Sequence, residues 1–286
     1  MDTDLPDLLA LLDLTPLDED RFEGESRNIV GPRIFGGQVI GQALIAAART
    51  VSSRAAHSLH AYFLRPGDAR LPIVYRVERV RDGGSFSTRR VVAEQRGRPI
   101  FDMAASFHNP ESGPEHQNAN FQAPDPETLD TEQEVTRAFL EGEELSENFR
   151  AALLRRKPLE LRPVTRRHPI RPEKTEPVRQ TWLRAPGLQS DDPLIHQALL
   201  AYVTDHNLMG TALLPHGITF LNRDLLVASL DHSLWFHRPF RIDEWLFYDM
   251  ESPIATGARG FNRGRLFNQR GELVASVCQE GLMRQT

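Results

Sequence analysis

The segment QALIAAART at 42–50 returns as QALLAYVTD at 197–205, and a helix written twice narrows the folds open to a chain. Each copy precedes a run of strand-like segments, so the chain reads as one helix-plus-sheet unit used twice. The copies agree elsewhere. Tyr62-Phe63 and Trp235-Phe236 stand the same distance ahead of an Arg-Pro pair, and DMAASFH late in one unit is answered by LVASVCQE in the other. They part at the helix end, where Thr50 faces Asp205.

In the first unit Gly36-Gly37 permits a tight entry turn, and the helix is predicted over Gln38 to Val51. Val39, Ala43, Ala46 and Thr50 share one face, small enough to admit a sheet, and Gly41 implies close packing where it interrupts the helix. HSLHAYFLR, LPIVYRVERV, FSTRRVVAEQ and IFDMAASFH read as strands, punctuated by Pro66-Gly67, Asp82-Gly83-Gly84 and RGRP. That order predicts an α+β module with an antiparallel sheet over residues 1–115. Residues 116–155 read as a partly mobile linker: a polar Pro- and Asn-rich stretch with little to bury, then one or two short surface helices. The second module, 156–286, centres on a helix capped by Asp192 and opened by Pro193. Strands are predicted before it in LELRPV and VRQTWLRA. After it come LVASLDHSLWFHRPF, EWLFYDMESPIA, ARGFNRGRLFNQ and GELVASVCQEGLMR.

A formal charge of −5 gives no basic field for nucleic acid. One cysteine, Cys278, excludes a disulfide framework and any multi-cysteine metal site. No apolar run is long enough to span a membrane, the acidic N-terminal segment lacks signal-peptide features, and the last residues are not a peroxisomal tripeptide. A cytoplasmic protein is the expectation.

The chemistry converges on Asp205. With Leu194, Ala198, Ala201 and Leu208 it forms one helical stripe facing the sheet, where a bare carboxylate is costly without hydrogen bonds. Its place in the last helical turn sets it against the helix dipole. Burial and dipole both raise its pKa, which suits a general base. The competing reading is a turn residue bonding its own backbone. Other signatures fail. Asp231-His232-Ser233 alternates faces on a strand, GGSFS lacks the last glycine of a nucleophile elbow, and GGQVIG lacks the dinucleotide-loop spacing. No covalent nucleophile, metal site or cofactor motif is evident. His232 and His237 read as structural or surface histidines, Cys278 as a small core residue, and Trp235 and Phe236 as core and interface. Arg259, Arg263 and Arg265 could meet phosphates or line a solvated strand face.

GPRIFGGQVIGQAL, HSLHAYFLRPGD, DHSLWFHRPF and ARGFNRGRLFNQRGELVASVCQEGLMR resemble the acyl-CoA thioesterase II family, from about Arg33 to Met283. The resemblance implies a double hotdog fold, with each long helix wrapped by an antiparallel sheet and the two sheets joined side by side. It also implies hydrolysis of acyl-CoA to fatty acid and CoA by an activated water. Carried over by motif, the Asp of VTDHNL is Asp205, the hydroxyl residue before LDHSLWFH is Ser229 where relatives often have Thr, and the Gln of CQEG is Gln279. Arg259 and Arg263 are weaker candidates for the CoA phosphates. A homodimer or homotetramer follows by analogy with hotdog sheets. Two alternatives stay open: an acyl-CoA-binding module without turnover, and a hotdog hydratase or dehydratase with an Asp/His pair.

Overall fold

The computed structural model describes residues 4–27, 33–117 and 121–286. The first part supplies α1 (Leu5–Leu12), β1 (Thr15–Pro16), β2 (Arg21–Gly24), α2 (Gly36–Ala48), β3 (Ala55–Phe63), β4 (Ile73–Asp82), β5 (Phe86–Gln95) and β6 (Arg98–His108). Two short helices follow, α3 (Glu132–Phe139) and α4 (Glu147–Leu153). The second part supplies β7 (Glu160–Pro163), β8 (Val178–Arg184), α5 (Pro193–Thr204), β9 (Leu225–Ser229), β10 (Asp231–Phe236), β11 (Leu246–Thr256), β12 (Arg259–Asn268) and β13 (Leu273–Gln285). Among the described residues no helix is long and apolar enough to cross a membrane.

The strands form one antiparallel sheet ordered β1-β2-β4-β5-β6-β3-β10-β13-β12-β11-β8-β7, with β9 paired to β13 beside that path. From the β3–β10 seam outward the order is mirrored: β6 matches β13, β5 matches β12, β4 matches β11 and β2 matches β8. The seam itself is tight, pairing Leu59 with Leu234 and Ala61 with His232. The repeat reaches single hydrogen bonds. In the first Arg-Pro turn the Leu64 N–H donates to the Ile100 carbonyl and the Arg65 guanidinium to the Pro99 carbonyl. In the second, His237 N–H donates to Val274 and Arg238 to Leu273.

α2 and α5 have no polar face because neither has a solvent side. Every residue of α2 from Gly37 to Ala47 is buried. Buried Gln42 is satisfied rather than stranded, donating to the Leu11 and Glu25 carbonyls and accepting from the Tyr75 hydroxyl. The helices run antiparallel and nearly touch backbone to backbone. A Cβ on Gly37 would lie 2.1 Å from the Tyr202 carbonyl oxygen, and one on Gly41 3.1 Å from that of Ala198. Small residues on α2 are expected to admit the sheet; at Gly37 and Gly41 they admit the second helix.

Three further differences from the sequence reading have physical causes. The acidic N-terminal segment, read only for targeting signals, forms α1: Asp4 caps it, and Leu5, Leu8, Leu11 and Leu12 are buried in the core shared with α2. LVASLDHSLWFHRPF is two strands, because the chain breaks at Leu230, whose N–H bonds the Glu280 carbonyl while its own carbonyl accepts from Phe63. The linker buries more than its composition suggests. Phe121 packs edge-on against Trp182 and Phe247, the Trp182 indole donates to the Pro124 carbonyl, and the Trp245 indole donates to Glu127. Residues 118–120 of that expected linker lie outside the described residues.

The helix crossing predicts a graded response to added methyls. Gly37→Ala should cost at least the ~1–3 kcal/mol typical of overpacking, because the clash is with backbone. Gly41→Ala should cost less, since Ala regains about 1 kcal/mol of helix propensity and Leu12 can give way. Urea unfolding of both variants checks this; a Gly37→Ala protein as stable as wild type would refute the tight crossing.

Candidate active site

α5 begins as its sequence dictates, with the Asp192 carboxylate accepting from Leu194 N–H and Pro193 in the first turn. It ends because Asp205 leaves the helical register as the C-terminal cap and Asn207 takes a left-handed conformation, φ 63°, which Asn tolerates better than most residues. The chain then turns sharply through Met209–Thr211, and the strand break at Leu230 ends β9 on Ser229.

These local events bring the three sequence-predicted residues together. Gln279, fully buried on β13, donates from Nε2 to Asp205 Oδ1 at 2.6 Å and to Ser229 Oγ at 3.1 Å. Ser229 Oγ donates to Asp205 Oδ1 at 3.4 Å. A fourth participant was not foreseen: Gly37 N–H, in the first turn of α2, donates to Asp205 Oδ2 at 2.9 Å. A side chain on Gly36 would sit 2.7 Å from the same oxygen, so the Gly36-Gly37 pair lets the helix end reach the carboxylate. The GPRIFGG motif carried this signal as an entry turn without naming its target. The hydrogen bonds of the carboxylate therefore go to residues remote in sequence, and the local-turn reading of Asp205 does not hold.

Burial pushes the Asp205 pKa above its ordinary value, and the donors Gln279, Gly37 and Ser229 pull against that rise without cancelling it. The C-terminal dipole of α5 disfavours the negative charge of Asp205, and the positive N-terminal end of α2 opposes that effect. Gln279 spends its N–H groups on Asp205 and Ser229, and its buried Oε1 has no partner among the described residues. A buried acceptor left open at such a place calls for a ligand or water.

Asp205 and Ser229 stand in the wall of a cleft of about 480 Å³. Ile34, Phe35, Val39, Phe63 and Phe101 line it from the first module, Met209, Phe220 and Val227 from the second. Arg33 and Arg65 line the same cleft, and Arg259 and Arg263 do not. The latter two point from the outer side of β12 and are paired, Arg259 with Glu280 at 2.9 Å and Arg263 with Glu251 at 2.6 Å. The solvated-face reading is the one the structure supports for them, because strand alternation turns Asn262 inward and the arginines out.

The remaining candidates are structural. His232 is fully buried, hydrogen-bonded to Thr204 Oγ1, and burial pushes its pKa down to about 3, so it stays neutral. His237 bonds Ser276, and burial pushes the Cys278 thiol up, away from a reactive thiolate. His206, beside Asp205 in sequence, turns its Nε2 to Lys157 at 3.1 Å and lies 3.8 Å from Glu132.

The first copy of the site is filled differently. The strand registers align Thr50, Ala56 and Ala105 with Asp205, Ser229 and Gln279. Buried Arg89 occupies the ground opposite, donating to the Thr50 hydroxyl and carbonyl and pairing with Asp82 at 2.7 Å.

Residues 150–282 match a family described as "Acyl-CoA thioesterase", and residues 25–108 match one described as "Acyl-CoA thioesterase N-terminal domain". The chain is 42% identical over 282 residues to acyl-coenzyme A thioesterase 8 of Homo sapiens, covering 96% of this chain and 88% of the relative. Among solved structures, acyl-CoA thioesterase II TesB2 from Mycobacterium marinum superposes with a TM-score of 0.78 at 43% identity, over 98% of both chains. A hot dog fold protein from Alicyclobacillus acidocaldarius superposes at 0.76 with 17% identity over 98% of both chains, which speaks for the fold alone.

The raised pKa of Asp205 fixes the sign of a stability prediction. A carboxyl that binds its proton more tightly when folded favours the fold below the ordinary value of 3.8, and that contribution is lost as pH rises through the folded pKa. The stability of wild type relative to Asp205→Asn should therefore fall across that window, by up to about 1.4 kcal/mol per unit of separation. Urea melts from pH 3.5 upward, compared between the two proteins, test this; a difference that rises with pH would reverse the sign of the shift.

Proposed function

The chain belongs to the acyl-CoA thioesterase II family, and from that premise we propose that it hydrolyses acyl-CoA thioesters to fatty acid and CoA. Asp205 acts as general base, and Ser229 and Gln279 position the attacking water. In fold terms the proposal is a double hotdog, with α2 and α5 as the two wrapped helices. The observation that carries the chemistry is the convergence of Gln279, Ser229 and Gly37 on one buried carboxylate in the wall of an apolar cleft.

A thioester is reactive enough toward oxygen nucleophiles that a positioned water and a base suffice. A water seated against Ser229 Oγ and Asp205 Oδ1 gives one proton to the carboxylate as its oxygen attacks the carbonyl carbon. The open Gln279 Oε1 is an acceptor for its second O–H. The ensuing tetrahedral oxyanion needs a donor, and Gly36 N–H is suited, because a first-turn amide has no helical carbonyl to bond. Collapse expels the CoA thiolate, which takes up the proton held by Asp205. Cleft walls of Phe and Ile suit an acyl chain. The hydratase alternative would need His206 to work with Asp205; His206 lines the same cleft, and its ring is turned to Lys157.

Release of free thiol from acyl-CoAs of graded length, with wild type and Asp205→Asn side by side, tests the proposal. Loss of about a hundredfold or more in the variant is expected for removal of a general base. A folded, CoA-binding wild type that turns over no thioester would leave the binding-module reading in its place. The acid limb of the kcat/KM profile should lie above the ordinary aspartate value of 3.8, because the base must be ionised and burial raises its pKa. Thr50→Asp should add no second activity, since the new carboxylate would meet Arg89 and lack counterparts of Ser229 and Gln279. Restored turnover in an Asp205→Asn, Thr50→Asp protein would contradict that.

A further inference from the structure

The two modules differ at one more equivalent place. The turn Gln95-Arg96-Gly97-Arg98 between β5 and β6 returns as Gln269-Arg270-Gly271-Glu272 between β12 and β13. In the first module this turn is bound to the loop after β3: Arg65 donates to the Pro99 carbonyl, and Asp68 N–H donates to Gln95 Oε1. The joined segments expose Arg65, Arg70, Arg96 and Arg98, with Arg33 bridged to Asp68 through backbone. Five arginines thus stand against one carboxylate, Asp68, which Arg70 already engages at 2.7 Å. This rim is strongly positive on a chain whose overall charge is −5.

In the second module the same ground is neutralised and covered. Glu272 replaces an arginine and pairs with Arg270 at 2.7 Å. Arg238, the counterpart of Arg65, bonds the linker residue Gln117 at 3.1 Å and faces Glu115 at 3.8 Å. Gln117 also bonds the Gly271 carbonyl, and Phe121 lies over Gly271. Among the described residues one copy of a duplicated turn is covered by Gln117 and Phe121, and the other is exposed, basic and continuous with the cleft that holds Asp205.

We infer that the arginine rim of the first module, with Arg33 and Arg65 at the cleft mouth, receives the phosphorylated nucleotide end of the substrate. The inference rests on the acyl-CoA reading above. Guanidinium groups match phosphate oxygens in two-pronged geometry and remain charged at any working pH. A 3′-phosphorylated adenosine diphosphate carries several negative charges, so its attraction to this rim weakens with salt. The module that lacks the acid–base set would thereby contribute the anchor, and the other the chemistry.

The test compares kcat/KM for an acyl-CoA with that for the same acyl group on pantetheine, which lacks the nucleotide. The ratio of the two is insensitive to the fraction of protein folded. In Arg33→Ala/Arg65→Ala the CoA-to-pantetheine ratio should drop by about tenfold, the equivalent of two exposed ion pairs. Arg98→Glu, which gives the first module the charge of the second on an exposed turn, should lower the ratio in the same direction. An unchanged ratio in both variants overturns the inference. So does a drop produced instead by Arg155→Ala/Arg156→Ala, residues that line a separate cleft without Asp205 or Ser229. A wild type that hydrolyses neither thioester defeats the acyl-CoA reading itself, and the inference with it.

Discussion

The contact between the first turn of α2 and the end of α5 governs this molecule. Gly37 lets the α2 backbone pass against the Tyr202 carbonyl, and the absence of a side chain on Gly36 lets the Gly37 amide reach the Asp205 carboxylate. A side chain at Gly37 would collide with the Tyr202 carbonyl, and one at Gly36 with the Asp205 carboxylate itself. The sheet around them can close into a single surface with a β3–β10 seam because the two helices occupy so little width at their crossing. The geometry of the candidate site and the core packing are therefore one constraint, and the carboxylate serves as part of both.

The electrostatics of Asp205 are a balance, and the balance suits a base. Burial favours the protonated carboxyl, the form that cannot accept a proton. Among the described residues its partners are three neutral donors and no cation, and they pull against the rise in pKa without cancelling it. A lysine or arginine in their place would pull the pKa down and weaken the base. The first copy took the other course: Arg89 is buried opposite Thr50, paired with Asp82, and holds the end of α2 by hydrogen bonds rather than offering chemistry.

Duplication also explains the linker. A repeated Arg-Pro turn and a repeated Gln-Arg-Gly turn would present two basic mouths, and Gln117 and Phe121 cover one of them. Two indole N–H groups, of Trp182 and Trp245, find their acceptors in the same segment, so these two donors are paired.

The sequence by itself determined the repeat, the two helices and nearly every strand, marked Asp205 as the odd residue of the repeat, and through its family resemblance pointed to Ser229 and Gln279 beside it. Those are matters of periodicity, turn chemistry and motif, each written within a few consecutive residues. Asp192-Pro193 marks the start of α5, and Asp82-Gly83-Gly84 ends β4. Helix α1 was legible in its leucine spacing but masked by acidic composition. What only the tertiary structure decided lies between segments far apart in the chain. Gly37 donates to Asp205 across 168 positions, Leu230 breaks its strand where Glu280 and Phe63 meet it, and Phe121 finds an aromatic cluster built from three other strands. The same holds for the arginines: on β12, sequence position could not tell inward from outward, and β-strand alternation together with pairing to Glu280 and Glu251 removed Arg259 and Arg263 from the cleft. Hydrogen-bond partners and solvent exposure belong to the folded chain, because distance in space, not in sequence, sets their energies.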